Sequence, residues 1–389
     1  MTIPVIITIC ILLLLAYIFD LSSAKTKIPS VILLLALGWA ARQMSDISGF
    51  QIPDLTPILP IIGTIGLILI VLEGSLGLEL DRSKLPFIGK SAIMAILPML
   101  AVCFGLAFLF EHFGGTTFRI GLANAIPLSV ISSAIAIPSV QNLNADRKEF
   151  VVYESSLSDI FGVILFNFVT LNNNYGLVEV GNFFFDLIII LIVTLIATLG
   201  LAYLLGKITH HVKFVPIILM IILIYSVSKQ FHLPALIYIL LFGLFLANIV
   251  GLKRIRYIRL FHPDMLIKEV AKFKELTSEV TFLIRALFFL LFGFLIQSRE
   301  LFNVETALWA IGISAGTLLI RYVFLRMLRL PVRPLLFVAP RGLISILLFL
   351  SLPAGMGLSI VGNSLLIQII VMMAFVMMIG LMFHPVTRD

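Results

Sequence analysis

Thirteen apolar runs, most of them long enough to match the thickness of a bilayer's hydrocarbon layer, decide what this 389-residue chain can become. They occupy residues 2–20, 28–42, 57–77, 87–110, 119–140, 151–171, 184–206, 214–228, 233–250, 279–297, 305–323, 335–352 and 362–384. A helix needs roughly 20 apolar residues to cross that layer. These runs are apolar on every face rather than alternating with period two, which excludes a barrel. The expected fold class is all-α, a polytopic membrane protein of about 13 transmembrane helices.

The distribution of charge orients the spans. Of 27 Lys and Arg, 20 fall in alternate connections and the C-terminus, while the opposite connections carry only Arg42, Arg119, Lys229 and Arg299. Basic residues are retained on the cytoplasmic side. The N-terminus is therefore expected outside and the C-terminus in the cytoplasm, and the bacterial inner (plasma) membrane is the expected location. Those loops account for the net charge of +7, so it gives no reason to invoke nucleic acid. The first span has no charged stretch before it and no small-residue cleavage site before Lys25, so it reads as a span and not as a signal peptide.

Enzyme and cofactor chemistry find little support. Cys10 and Cys103 sit inside apolar runs, and the six histidines (112, 210, 211, 232, 262 and 384) fall at span ends or in loops. No nucleotide or zinc motif is present, and no cofactor is expected. Gly312-Ile313-Ser314-Ala315-Gly316 fits the spacing of a hydrolase nucleophile, but it lies in an apolar helix with no histidine at its depth. Close helix packing through Gly312 and Gly316 is the expected role.

Two spans carry helix-breaking polar sequence at mid-membrane: Ile126-Pro127-Leu128-Ser129-Val130-Ile131-Ser132-Ser133 and Ala339-Pro340-Arg341-Gly342-Leu343-Ile344-Ser345. They are the fifth and twelfth spans, seven apart, and so run in opposite directions. That is the arrangement of inverted repeats comprising spans 1–6 and 8–13. A broken helix at membrane depth must line a cavity or be buried in protein, because its freed backbone groups need partners. The one long connection, Gly251 to Ser278, has Met265, Leu266, Val270, Phe273 and Leu276 at helical spacing among lysines and acids, and reads as a helix lying on the membrane surface.

Charges at mid-bilayer are costly, and each is a functional hypothesis. They are Glu73 in span 3, Glu154 and Asp159 in span 6, and Arg285, Arg321 and Arg341 in spans 10, 11 and 12. In Glu154-Ser155-Ser156-Leu157-Ser158-Asp159, Ser155 lies four residues before Asp159, which puts a hydroxyl and a carboxylate on one helix face. Hard oxygen ligands of this kind suit an alkali cation. Glu154 is turned about 140° away and faces a different neighbour. It is free to pair with an arginine while Asp159 takes either a proton or a cation. Glu73 is a further candidate for a cavity acid, and Arg285 either reaches toward a headgroup or compensates charge in the core.

These residues resemble the monovalent cation/proton antiporter superfamily along nearly the whole chain. Leu72-Glu73-Gly74-Ser75-Leu76-Gly77-Leu78-Glu79-Leu80-Asp81 is similar to the FEGGLxLD-like end of span 3 in NhaP-type sodium/proton antiporters. Glu154 to Asp159 matches their E-S-x-x-N-D motif in spacing, Arg321 resembles the arginine that pairs with the motif glutamate, and Arg341-Gly342 matches the arginine-glycine of span 12. The resemblance implies a homodimer with no soluble regulatory domain. Its ion-translocating core would comprise residues 87–171 and 305–384, moving against a dimerisation part of residues 1–86 and 184–297. It further implies Asp159 as the shared carboxylate, Ser155 as a cation ligand and a structural Glu154–Arg321 bridge. Two departures stand out. Ile131-Ser132-Ser133 replaces the Thr-Asp-Pro of NhaP-type proteins and is closer to Kef-like and NapA-like relatives, and Ser158 replaces the motif Asn.

The expected mechanism is competition at Asp159, which releases a proton to bind the cation with help from Ser155, Ser158, Ser132, Ser133 and carbonyls freed at the span 5 break. Arg341 would offset the carbonyl ends of the broken helices. With no second acid beside Asp159, one proton per cation and electroneutral exchange are expected. Na+ is the first expectation for the cation, with Li+ or K+ as alternatives. The rival reading is a K+/H+ exchanger or a gated cation channel on the same scaffold. No nucleotide-binding domain follows Asp389, which weighs against a ligand-gated channel.

Overall fold

The computed structural model describes residues 2–26, 28–48, 55–78, 85–171, 177–207, 210, 213–231, 233, 235–249 and 263–383. Every predicted apolar run contains helix among the described residues, although in the run 335–352 only residues 343–350 are helical. The helices are α1 (Thr2–Thr26), α2 (Ser30–Ser48), α3 (Leu59–Leu76), α4 (Leu85–Gly114), α5 (Phe118–Ser129), α6 (Ser133–Ser139), α7 (Ala145–Leu171) and α8 (Leu177–Lys207). They continue with α9 (Phe214–Gln230), α10 (Leu236–Ala247), α11 (Pro263–Leu295), the short α12 (Ser298–Leu301), α13 (Val304–Met327), α14 (Leu343–Leu350) and α15 (Asn363–Met382). Among the described residues there are no strands, and eight helical stretches are long and apolar enough to cross a membrane.

The chain divides into two compact units. The first comprises Met1–Thr64, Ile88–Gly162 and Leu283–Asp389, and the second Ile65–Phe87 and Val163–Phe282. In the first, α13 packs on α15 and α5 on α14. In the second, α8 packs on α9 and α10. The two broken spans, α5–α6 and the stretch leading into α14, both belong to the first unit, as do Glu154, Asp159, Arg321 and Arg341.

Two sequence expectations are corrected here. The apolar residues of the long connection do not make a separate surface helix. Residues 263–278 are the first half of α11, continuous with span 10, and Leu266, Val270 and Phe273 are buried in the second unit. An apolar helical face is satisfied by protein as well as by lipid, and here Phe273 lies against Phe214, with ring centroids 6.0 Å apart. Nearby Lys213 binds Glu269 at 2.5 Å. Residues 251–262 of that connection, like Glu79 to Asp81 of the span 3 motif, lie outside the described residues.

The second correction concerns Gly312 and Gly316, which make no close helix contact. A Cβ built on either meets nothing within 4 Å, and both line an apolar groove of about 450 Å³ between α4 and α13. Helix α13 packs on α15. The close approach through small residues occurs instead between α2 and α11. A Cβ on Gly38 would lie 2.2 Å from the Leu290 carbonyl, and one on Gly293 would lie 2.4 Å from the Leu35 carbonyl.

Candidate ion-binding site

The polypeptide crossing begins with three backbone donors that a continuous helix would have satisfied internally. Helix α5 ends at Ser129 and α6 starts at Ser133, with Val130 and Ser132 extended between them. The N–H groups of residues 131, 132 and 133 each find a partner outside their own span. Ile131 donates to Ser158 Oγ at 3.0 Å, Ser132 to the Pro340 carbonyl at 2.9 Å, and Ser133 to Asp159 Oδ2 at 3.2 Å. Three of the donors that the break releases are satisfied in this way. This pairing also explains the residue types, since two of the three acceptors come from the polar stretch of α7.

The Ser132 to Pro340 bond ties one break to the other. Pro340 lies in the non-helical stretch 338–342 that precedes α14. The carbonyls freed at the two breaks are taken by arginines. Arg341 Nε donates to the Leu128 carbonyl at 2.6 Å and its Nη1 to the Ala339 carbonyl at 3.2 Å. Arg321 Nε donates to the Leu335 carbonyl at 2.8 Å. A guanidinium has five donors in a planar fork and can hold carbonyls and a carboxylate together. Both arginines are at most 2% exposed, and with Ser129, Ile131 and Ala339 they border a cavity of about 10 Å³, the room of roughly one water.

Glu154 and Asp159 point to different partners, as the helix geometry requires. Glu154 is held bidentately by Arg321, at 2.5 and 2.9 Å. Asp159 receives the Ser133 hydroxyl as well as the Ser133 N–H on Oδ2, while Oδ1 has no hydrogen-bond partner among the described residues. Three acids are buried among the described residues: Glu269 pairs with Lys213, Glu154 with Arg321, and Asp159 with no base.

The closeness of α7 to the break depends on Gly162, one turn beyond Asp159. A Cβ there would lie 2.3 Å from Val130 Cγ2, and Val130 is a stiff β-branched residue in the break itself. Gly162→Ala is therefore expected to cost about 1–3 kcal/mol of stability. A lowered Tm of the purified protein checks this, and an unchanged Tm would show that the crossing tolerates separation from α7.

The remaining predicted residues are placed as follows. Ser155 donates its hydroxyl to the Val151 carbonyl at 2.7 Å and keeps its oxygen lone pairs. Ser132 Oγ is buried without a hydrogen-bond partner among the described residues. Arg285 lies 3.9 Å from Asp20, which also accepts from Ser30 at 3.0 Å, so it answers an acid on α1 and not the Asp159 cluster. Glu73 is half-buried on α3 and belongs to the second unit, whereas Asp159 belongs to the first.

Sequence reasoning missed Asn124. Fully buried, it donates to the Met356 carbonyl at 2.6 Å and accepts from Leu358 N–H at 3.4 Å, fastening the connection between α14 and α15 to α5. The available signal was a lone amide inside an apolar run three residues before Pro127. Asp20 was equally visible as an acid at a span end.

The sequence matches the family described as "Sodium/hydrogen exchanger, transmembrane" over residues 10–389. Two solved structures of the sodium proton antiporter MjNhaP1 from Methanocaldococcus jannaschii are similar to the chain. One, determined at pH 8, has a TM-score of 0.67 at 17% identity and covers 97% of this chain and 95% of its own. The other, from an electron microscopy map, has a TM-score of 0.67 at 16% identity and covers 98% and 95%. At these identities the likeness shows the fold. Among curated proteins, none matches the chain.

Proposed function

The chain belongs to the sodium/hydrogen exchanger family of integral membrane proteins, and from that membership we propose that it exchanges Na+ for H+ by competition at Asp159. The observation that carries the reading is the contrast between the two acids of α7: Glu154 is locked on a guanidinium, and one carboxylate oxygen of Asp159 has no partner among the described residues. A bare carboxylate in low dielectric is strongly disfavoured. The carrier therefore crosses only with a proton or a cation aboard, and leak is suppressed by the cost of the empty charged state.

Ser133 holds Oδ2 of Asp159, and Ser155 and Ser132 supply further hydroxyl oxygens around the cation, while Ser158 accepts the Ile131 N–H at the break. Glu154 and Arg321 brace the site, and Arg341 offsets the carbonyl ends at the breaks. One acid without a base supports one proton per cation and electroneutral exchange. The core of residues 87–171 and 305–384 moves against a dimerisation part of residues 1–86 and 184–297 within a homodimer, with the N-terminus outside and the C-terminus cytoplasmic.

The test is cation-driven proton movement in proteoliposomes that contain a pH dye, with the membrane potential clamped and unclamped. Addition of Na+ is expected to collapse the pH gradient at the same rate under both conditions. One-for-one competition further requires the KM for Na+ to rise about tenfold for each unit that pH falls in the acid range, with little change in maximal rate. A response to K+ with none to Na+ would make this a potassium/proton exchanger. Cation-evoked current without proton movement would make it a channel and overturn the reading.

A further inference from the structure

We propose that Ser345, on the second broken span, is a further ligand of the transported cation, completing with Ser132 and Asp159 Oδ1 a site that draws oxygens from both breaks. This rests on the antiporter reading above. Ser345 Oγ, Ser132 Oγ and Asp159 Oδ1 are all buried, their residues at most 1% exposed, and none has a hydrogen-bond partner among the described residues. A buried hydroxyl without a partner is costly and calls for an explanation.

The usual remedy for a buried helical hydroxyl is a bond back to the carbonyl four residues earlier. Ser129, Ser155, Thr194, Thr277 and Thr281 all use it, at 2.6 to 2.7 Å. Ser345, like Thr198 and Ser314, has no such bond among the described residues, and the residue four before it, Arg341, lies in the non-helical stretch ahead of α14.

Gly342 brings the two breaks together. A Cβ on it would lie 3.0 Å from Ser132 Oγ and 2.6 Å from Ile135 Cδ1, so the Ser132 hydroxyl packs directly on the start of α14. The Ser132 to Pro340 backbone bond fixes that register. Ser345 is three residues beyond Gly342, the N-cap of α14, and so lies within the first turn, about 4.5 Å along the axis. A hard cation holding oxygens at about 2.3–2.6 Å bridges ligands up to about 5 Å apart. On the Asp159 side, both Ser133 donors engage Oδ2, which leaves Oδ1 as the oxygen able to join the hydroxyls.

The experiment compares the full-length protein with Ser345→Ala and Ser345→Thr in proteoliposomes, titrating Na+, Li+ and K+. Ser345→Ala is expected to raise the KM for Na+ about tenfold, more than it lowers kcat, and to change the ratio of Na+ to Li+ affinity. Ser345→Thr, which keeps the oxygen, should restore the KM to near its native value. Native KM values and selectivity in Ser345→Ala would overturn the proposal, and if Asp159→Asn is silent in the same assay the antiporter reading stands without it.

Should Ser345→Ala not fold, Ser345→Cys provides a second readout in a background where the free cysteines Cys10 and Cys103 are replaced by Ser. A small methanethiosulfonate reagent is expected to modify position 345 at least about fivefold more slowly in Na+ than in choline, with the protection lost in Asp159→Asn. Equal rates in the two salts would likewise overturn the proposal.

Discussion

Asp159→Asn is expected to abolish cation-driven proton movement while leaving the protein at least as stable as the native chain. The substitution is isosteric, and its side-chain oxygen can still accept from the Ser133 N–H and hydroxyl that hold Oδ2. What it loses is the ability to carry a negative charge, and with it both passengers. Burying a neutral amide in place of an ionisable group with no basic partner removes a desolvation cost. A ligand that binds only the folded state stabilises it by mass action, by about 2.7 kcal/mol at a hundred times its Kd. Na+ should therefore raise the Tm of the native protein and not that of Asp159→Asn. If the variant exchanges at the native rate, or gains the same stabilisation from Na+, the carboxylate is not the shared site.

That Asp159 is buried was legible from residues, because the cost of burying a charge is a property of the charge and can be read before its surroundings are known. The same logic makes Glu154, Arg321 and Arg341 visible in sequence, and Pro127, Pro340 and their polar neighbours mark where two spans must break. Partners are harder to read. Arg285 carries the same signal as Arg321, yet it answers Asp20 on α1, since a pairing across distant segments depends on packing that no local pattern encodes. Gly312 and Gly316 satisfy the spacing for close helix approach, while Gly38 and Gly293, too distant in sequence to form a motif, perform it. Ser158 illustrates a third limit. Its place in the α7 cluster marks it as an oxygen ligand, but the break in α5 uses that oxygen to satisfy the Ile131 N–H. A hydroxyl both donates and accepts, and sequence does not say which capacity the fold will claim.

The second large effect is expected at the other acid of α7 and concerns folding more than transport. Glu154 and Arg321 are 1% and 2% exposed at their side chains and joined by two hydrogen bonds. Removing one member strands a desolvated charge, which costs about 3–5 kcal/mol, whereas removing both exchanges the pair for neutral groups and is often close to neutral. Glu154→Gln and Arg321→Gln should therefore each lower the folded yield and the Tm sharply, and the double variant should recover much of the loss. The two members are not equivalent, because Arg321 also donates to the Leu335 carbonyl, next to the turn that leads into the second break. Glu154→Gln keeps that bond and strands only the guanidinium's distal nitrogens, which Gln can still reach through its carbonyl. Arg321→Gln gives up the Leu335 bond as well and leaves a carboxylate with no cation in contact. Arg321→Gln should accordingly be the more damaging single change, and the double variant should fall short of the native protein by the lost Leu335 bond. A double-mutant cycle on Tm or on chemical denaturation in detergent measures the coupling. Strictly additive losses would mean that the pair seen between α7 and α13 contributes nothing as a pair, and that each residue matters only through its other contacts.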